Sequence, residues 1–178
     1  ICHPHPRFGG NMHNNVVSAI TSALSQKNIV TLRFNFRGVG QSSGHHSNGV
    51  GEACDTQAVL CHVSNLTEVD SNRIGLAGYS FGAGIAADIA NDVAVSAIAL
   101  IAMPGAADRD SALSLYSEPI LLITGDRDDI CPPSVLTELS SSLGSRLETQ
   151  IVTGADHFWL GYEKEVGGKV SDFFETRL

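Results

Sequence analysis

Arg73-Ile74-Gly75-Leu76-Ala77-Gly78-Tyr79-Ser80-Phe81-Gly82-Ala83-Gly84-Ile85-Ala86-Ala87 is the stretch from which the rest of the chain can be read. Residues 74–77 are short, apolar and bounded by glycine, as expected of a strand buried on both faces, and the small apolar residues from Phe81 onward suit a helix packed closely on a sheet. Gly78 to Gly82 matches Gly-X-Ser-X-Gly, the nucleophile elbow, in which a sharp strand-to-helix turn strains the serine backbone and lifts its hydroxyl above the sheet. Side chains at the two glycines would collide with the neighbouring strand and helix. Five residues alone also fit a Gly/Ser-rich phosphate or packing loop; the strand before and the helix after separate the two readings.

Outward from the elbow, strands and helices alternate. Upstream, Ile1 and Cys2 read as the end of a strand, and Val16, Val17, Ile20, Ala23 and Leu24 fall on one helical face. Residues 28–36 return as a strand, a glycine loop covers 37–44, and a helix over about 52–66 turns Val59, Val63 and Leu66 inward. Downstream, residues 95–102, 119–124 and 147–152 read as strands. Val135, Leu136, Leu139 and Leu143 form the stripe of a helix that starts near Pro132 and Pro133. Val166, Val170, Phe173 and Phe174 mark a closing helix that Gly167 and Gly168 weaken. The pattern predicts a three-layer α/β/α sandwich on a mostly parallel sheet, as one domain over residues 1–178. Residues 103–118 are too few for a lid domain, so the site should be open.

A net charge of −8 with no basic run makes nucleic acid and anionic membranes poor partners and leaves a small molecule as the expected ligand. Cys2, Cys54, Cys61 and Cys131 show no metal-finger or CxxC spacing, and read as free thiols in a reducing, cytoplasmic compartment. No apolar run reaches membrane-spanning length, and no signal peptide is visible.

In such sheets chemistry gathers at the carboxyl ends of the strands, where the polar motifs after Cys2, Phe36, Ala77, Thr124 and Val152 converge. A serine hydroxyl needs a base, and the base needs a carboxylate to set its tautomer. An elbow nucleophile is followed in sequence by the acid and then the histidine, which gives Ser80, an acid after residue 124, and His157. Asp126, Asp128 and Asp129 compete for the acid; Asp129 could simply cap the following helix, Asp128 is preferred, and Asp126 is the alternative. The oxyanion needs two donors. One is the Phe81 backbone N–H and the other comes from the loop after Cys2, where Pro4 and Pro6 lack an N–H and His5, Arg7 or Phe8 remain, His5 being chosen. His3 and His5 could alternatively hold a metal, but no matching ligand set accompanies them; His45 and His46 read as solvated. Gly82-Ala83-Gly84-Ile85-Ala86-Ala87 also fits a dinucleotide fingerprint, yet no acid ends the next strand, so no cofactor is expected.

His3-Pro4-His5-Pro6-Arg7-Phe8-Gly9-Gly10-Asn11-Met12, Arg33-Phe34-Asn35-Phe36-Arg37-Gly38-Val39-Gly40, Gly78-Tyr79-Ser80-Phe81-Gly82 and Gly154-Ala155-Asp156-His157-Phe158 together resemble the alpha/beta-hydrolase superfamily. The likeness is to small, lidless bacterial hydrolases related to the dienelactone-hydrolase and acyl-peptidase-like branches. It covers almost the whole chain and implies Ser80 as nucleophile, Asp128 as acid and His157 as base. It also implies an eight-stranded sheet of which six strands are here, the first two being absent, so that residues 31–36 would form an exposed edge prone to self-association. The expected activity is hydrolysis of small or medium acyl substrates, carboxylic esters first, with a peptidase or thioesterase on the same residues, or a non-catalytic small-ligand receptor, as alternatives.

Overall fold

Segments of five or six residues form four parallel strands: β1 (Gly75–Tyr79), β2 (Ala97–Ile101), β3 (Ile120–Gly125) and β4 (Leu147–Val152), laid side by side in that order. These come from a computed structural model that describes the backbone of residues 1–178 and all side chains except those of 107, 135, 137, 138, 140 and 141. β2 and β3 are buried along their whole length, which is why their sequences are continuously apolar and not alternating. β4 is the edge and carries Glu148 among half-exposed residues.

Helices cover both faces. Chain order gives α1 (Asn15–Gln26), α2 (Val50–Ser64), α3 (Phe81–Asp88), α4 (Asp110–Leu115), α5 (Ser134–Leu143) and α6 (Glu163–Arg177). On one face Leu76, Ile98, Leu100, Ile120 and Leu122 pack with Ala83, Ile85, Leu113, Leu136, Leu139 and Leu143 of α3, α4 and α5. On the other, Ala77, Ala99, Ile101, Leu121 and Ile123 meet Val16 and Ile20 of α1 and Val166, Val170, Phe173 and Phe174 of α6. The Asn14 side chain accepts from the Val16 and Val17 N–H groups and so fixes the start of α1. Gly167 has a packing reason for its place in α6: a β-carbon there would stand 2.8 Å from the Ala19 carbonyl oxygen of α1. No helix among the described residues is long and apolar enough to cross a membrane.

Two expectations need correction. Of the strand expected over residues 28–36, Asn28 sits in a turn with φ 58° and residues 29–36 form no strand ladder, and Cys2 makes only an isolated parallel bridge to Gly78. The partner between that segment and β1 is Ile1 to His3 alone, joined to it through the Ile1 amino group on the Leu32 carbonyl (2.8 Å), and three residues cannot sustain a ladder. The inward stripe of α2 is broader than expected: Glu52 and Thr56 are buried, Val63 is half-buried and packs against the core as expected, and Val59 and Leu66 are half-buried. With Ile29, Leu32 and Leu76, the latter three line a groove of about 460 Å³ along the free edge of β1, away from Ser80. Val135, expected in the α5 stripe, lies outside the described side chains; Leu136, Leu139 and Leu143 are buried.

Candidate active site

Ser80 joins β1 to α3 with φ 53° and ψ −119°, a conformation that a non-glycine residue holds only when its surroundings impose it. Its N–H donates to the Ile101 carbonyl at the end of β2 (2.8 Å), and its carbonyl accepts from Ala83 and Gly84 in the first turn of α3. The flanking glycines make the turn passable. A β-carbon at Gly78 would stand 2.2 Å from the Gly82 carbonyl oxygen, and one at Gly82 would stand 2.4 Å from that of Cys2.

The Ser80 hydroxyl lies 2.9 Å from His157 Nε2, and His157 Nδ1 lies 2.9 Å from Asp128 Oδ2 and 3.1 Å from Oδ1. Asp128 is 2% exposed and His157 8%, so both side chains are largely sheltered from water. Asp128 Oδ1 also accepts from the Ile130 and Cys131 N–H groups at 2.9 and 2.7 Å, which fixes the carboxylate. A carboxylate acceptor puts the imidazole proton on Nδ1 and leaves the Nε2 lone pair for the serine proton. Asp126 and Asp129 are exposed; Asp126 instead accepts from the Gly154 N–H (2.7 Å) and ties the acid loop to the histidine loop.

The loop after Cys2 distinguishes its own donors. The Arg7 N–H donates to His5 Nδ1 and the Phe8 N–H to the His5 carbonyl, whereas the His5 and Phe81 N–H groups have no partner among the described residues. His3 Nδ1 donates to the Pro4 carbonyl and its Nε2 accepts from the Phe36 N–H, so both nitrogens are engaged and burial lowers its pKa. A metal would have to displace those bonds. The one cluster of metal-ligand type among the described residues is Asp128, Cys131 and His157. Protons occupy that set: Asp128 already accepts three donors, and burial, aided by Asp128, pushes the Cys131 thiol up to about 12.

Two contributors escaped the sequence reading. Tyr79, buried inside the elbow motif, donates its hydroxyl to the His157 carbonyl (2.6 Å) and so ties the histidine loop to the strand that bears Ser80. Its phenol is pushed upward by burial and then by Asp128, which keeps it a donor. His46, expected to be solvated, is half-buried as a residue with its side chain only 10% exposed, beside a wholly buried Glu52. The available signal was an acid three residues after the helix cap: the Gly49 N–H donates to Glu52 Oε2 at 2.9 Å.

Residues 8–171 match a family model described as an alpha/beta hydrolase domain. The Rickettsia prowazekii protein RP471 is 32% identical over 99% of this chain and 77% of its own length. A solved alpha-beta serine hydrolase homologue from Coxiella burnetii is 38% identical, with a TM-score of 0.87 over 97% of this chain and 82% of that one. A Xanthomonas campestris a/b serine hydrolase without a lid is 32% identical, with a TM-score of 0.84 over 96% of this chain and 77% of that one.

Proposed function

This chain belongs to the alpha/beta hydrolase domain family, and from that premise we propose that it is a serine hydrolase of small or medium carboxylic esters. The observation that carries the reading is the unbroken path from the Ser80 hydroxyl through His157 to the buried Asp128, at 2.9 Å for each step. Ser80 attacks the acyl carbonyl while His157 Nε2 takes its proton, and the tetrahedral oxyanion is received by the His5 and Phe81 N–H groups. His157 then protonates the leaving alcohol, and the acyl-enzyme forms. Water attacks it with His157 again as base and Ser80 as leaving group, which restores the starting state. Asp128 stays ionised throughout and stabilises the imidazolium.

Ester preference rests on the mouth of the site. Phe158 lies 5.9 Å from the His157 ring and Phe8 lies 5.1 Å from the His5 ring, and both are exposed, so apolar acyl or alcohol groups find apolar surface on either side of the serine. The assignment to a reducing, cytoplasmic compartment rests on four free cysteines.

Intact mass after incubation with a fluorophosphonate tests the activated serine. One adduct is expected, lost in Ser80→Ala, followed by turnover of p-nitrophenyl esters above matched thioesters and anilides. A folded protein that takes no adduct overturns the reading, and faster anilide or thioester turnover overturns the ester assignment.

A further inference from the structure

His46 sits in the polar loop that leads into α2, yet its ring is packed inside the protein. The ring centroid is 4.8 Å from that of His5 and 5.6 Å from that of Phe81, and His5 and Phe81 are themselves 4.8 Å apart. These are the residues whose backbone N–H groups are unpartnered beside Ser80. His46 Nδ1 lies 2.8 Å from Glu52 Oε1 but off the ring N–H direction, and neither ring nitrogen has an aligned hydrogen bond among the described residues. Buried ring nitrogens left in that condition are costly, and call for a role that retains them.

Glu52 gives the contact a fixed base. It accepts from the Ser47 N–H at 3.0 Å, the Gly49 N–H at 2.9 Å and the Ser47 hydroxyl at 3.3 Å, so it stays in place whatever occupies position 46. Burial opposes its charge, but those backbone donors outweigh the burial and hold its carboxyl below the ordinary range. Among the described residues, the loop that carries His5 has no comparable outside anchor at His5 itself. Its hydrogen bonds there are internal, from Arg7 to the His5 ring and from Phe8 and Gly10 to the His5 carbonyl. They set the shape of the loop; Cys2, whose N–H donates to the Ala77 carbonyl (2.8 Å) and whose carbonyl accepts from the Tyr79 N–H (3.1 Å), ties the start of the loop to β1, and the ring contacts hold His5 against the elbow.

We propose that His46 is a positioning residue: its ring, seated on the Glu52 carboxylate, packs against both His5 and Phe81 and fixes the spacing of the two N–H groups that receive the oxyanion. This rests on the serine-hydrolase reading of the same site. The three rings touch one another, and position 46 asks for a flat ring lying against the His5–Phe81 pair, so a second aromatic can stand in for the imidazole and an aliphatic residue cannot.

The experiment compares His46→Ala, His46→Phe and, as control, His45→Ala, whose side chain is on an exposed residue. Two quantities are read: p-nitrophenyl acetate turnover, and amide hydrogen exchange in the peptide covering residues 5–10. His46→Ala should lower kcat about tenfold with KM within about twofold, because displaced oxyanion donors act on the transition state, and should speed exchange in the peptide. His46→Phe should restore most of both, and His45→Ala should change neither. Parent-like kcat and exchange in His46→Ala, or a His46→Phe as impaired as His46→Ala, overturns the proposal. If His46→Ala does not fold, His46→Leu, which fills the site without a ring, replaces it. A parent protein that hydrolyses no ester counts against the hydrolase reading, while the exchange comparison still decides the role of His46.

Discussion

Asp128 is separated from Asp126 and Asp129 by burial and by what it accepts. It takes two backbone N–H bonds and the His157 Nδ1 proton, whereas Asp126 is exposed and holds the Gly154 N–H. An asparagine at 128 can still accept from Ile130 and Cys131, but its amide would turn a donor toward Nδ1, push the imidazole proton to Nε2 and remove the base. Asp128→Asn should therefore reduce kcat by up to about 10⁴-fold with little change in melting temperature, while Asp126→Asn should lose far less. Steady-state ester kinetics on the two variants check this, and the reverse order would reassign the acid. Cys131 offers a second comparison. Its thiol, pushed up to about 12 by burial and by Asp128, carries a thiolate fraction of only about 10⁻⁴ at pH 8, because deprotonation there lies far below its midpoint. Iodoacetamide at pH 8 should modify the exposed Cys54 and Cys61 and spare Cys2 and Cys131, as peptide mass mapping would read; early loss of Cys131 would mean that the acid loop opens.

At the scale of elements the site depends on how closely α3 approaches the chain before it. Gly82 lets the first turn of α3 lie against the Cys2 and His3 carbonyl oxygens, where an added β-carbon would stand 2.4 and 2.6 Å away. Both contacts are with backbone, so neither can yield by a rotamer change. Gly82→Ala should destabilise the fold by about 1–3 kcal/mol in urea melts and slow fluorophosphonate labelling beyond the stability loss, because the helix carries Phe81 and the neighbouring loop carries His5. Unchanged stability would mean that the loop can move outward freely. The same elements show what was legible beforehand. β2 and β3 were readable because strands buried on both faces are short apolar runs, and the elbow because its glycines and serine each answer to a local steric demand. The segment over residues 28–36 misled for a physical reason: alternation and β-branched residues report fitness for a sheet, but a ladder also needs a neighbour of sufficient length. His46 was illegible because its burial comes from His5, Phe81 and Glu52, which are distant in sequence or face it only after the loop folds.

Across residues 1–178 the two sides of the sheet differ. β4 closes one side with a charged, half-exposed edge, a protected arrangement. On the other, β1 meets Cys2 through one bridge, and beyond it the apolar groove lined by Ile29, Leu32, Leu76, Val59 and Val63 keeps backbone polar groups and aliphatic side chains together in reach of solvent. An extended strand satisfies both demands at once, through ladder hydrogen bonds on the β1 edge and side chains in the groove, and a second copy of this chain can supply one from residues 28–36. Electrostatics oppose this only weakly, since a net charge of −8 is screened beyond about 8 Å at physiological salt. Static light scattering should accordingly give a mass that rises with concentration for residues 1–178, and Val59→Lys, which places a charge in the groove wall, should suppress the rise without altering the elbow on the opposite end of β1. A monomeric mass across the whole concentration range would mean that the extended segment already shields the edge, and the self-association expected of this side of the sheet would be wrong.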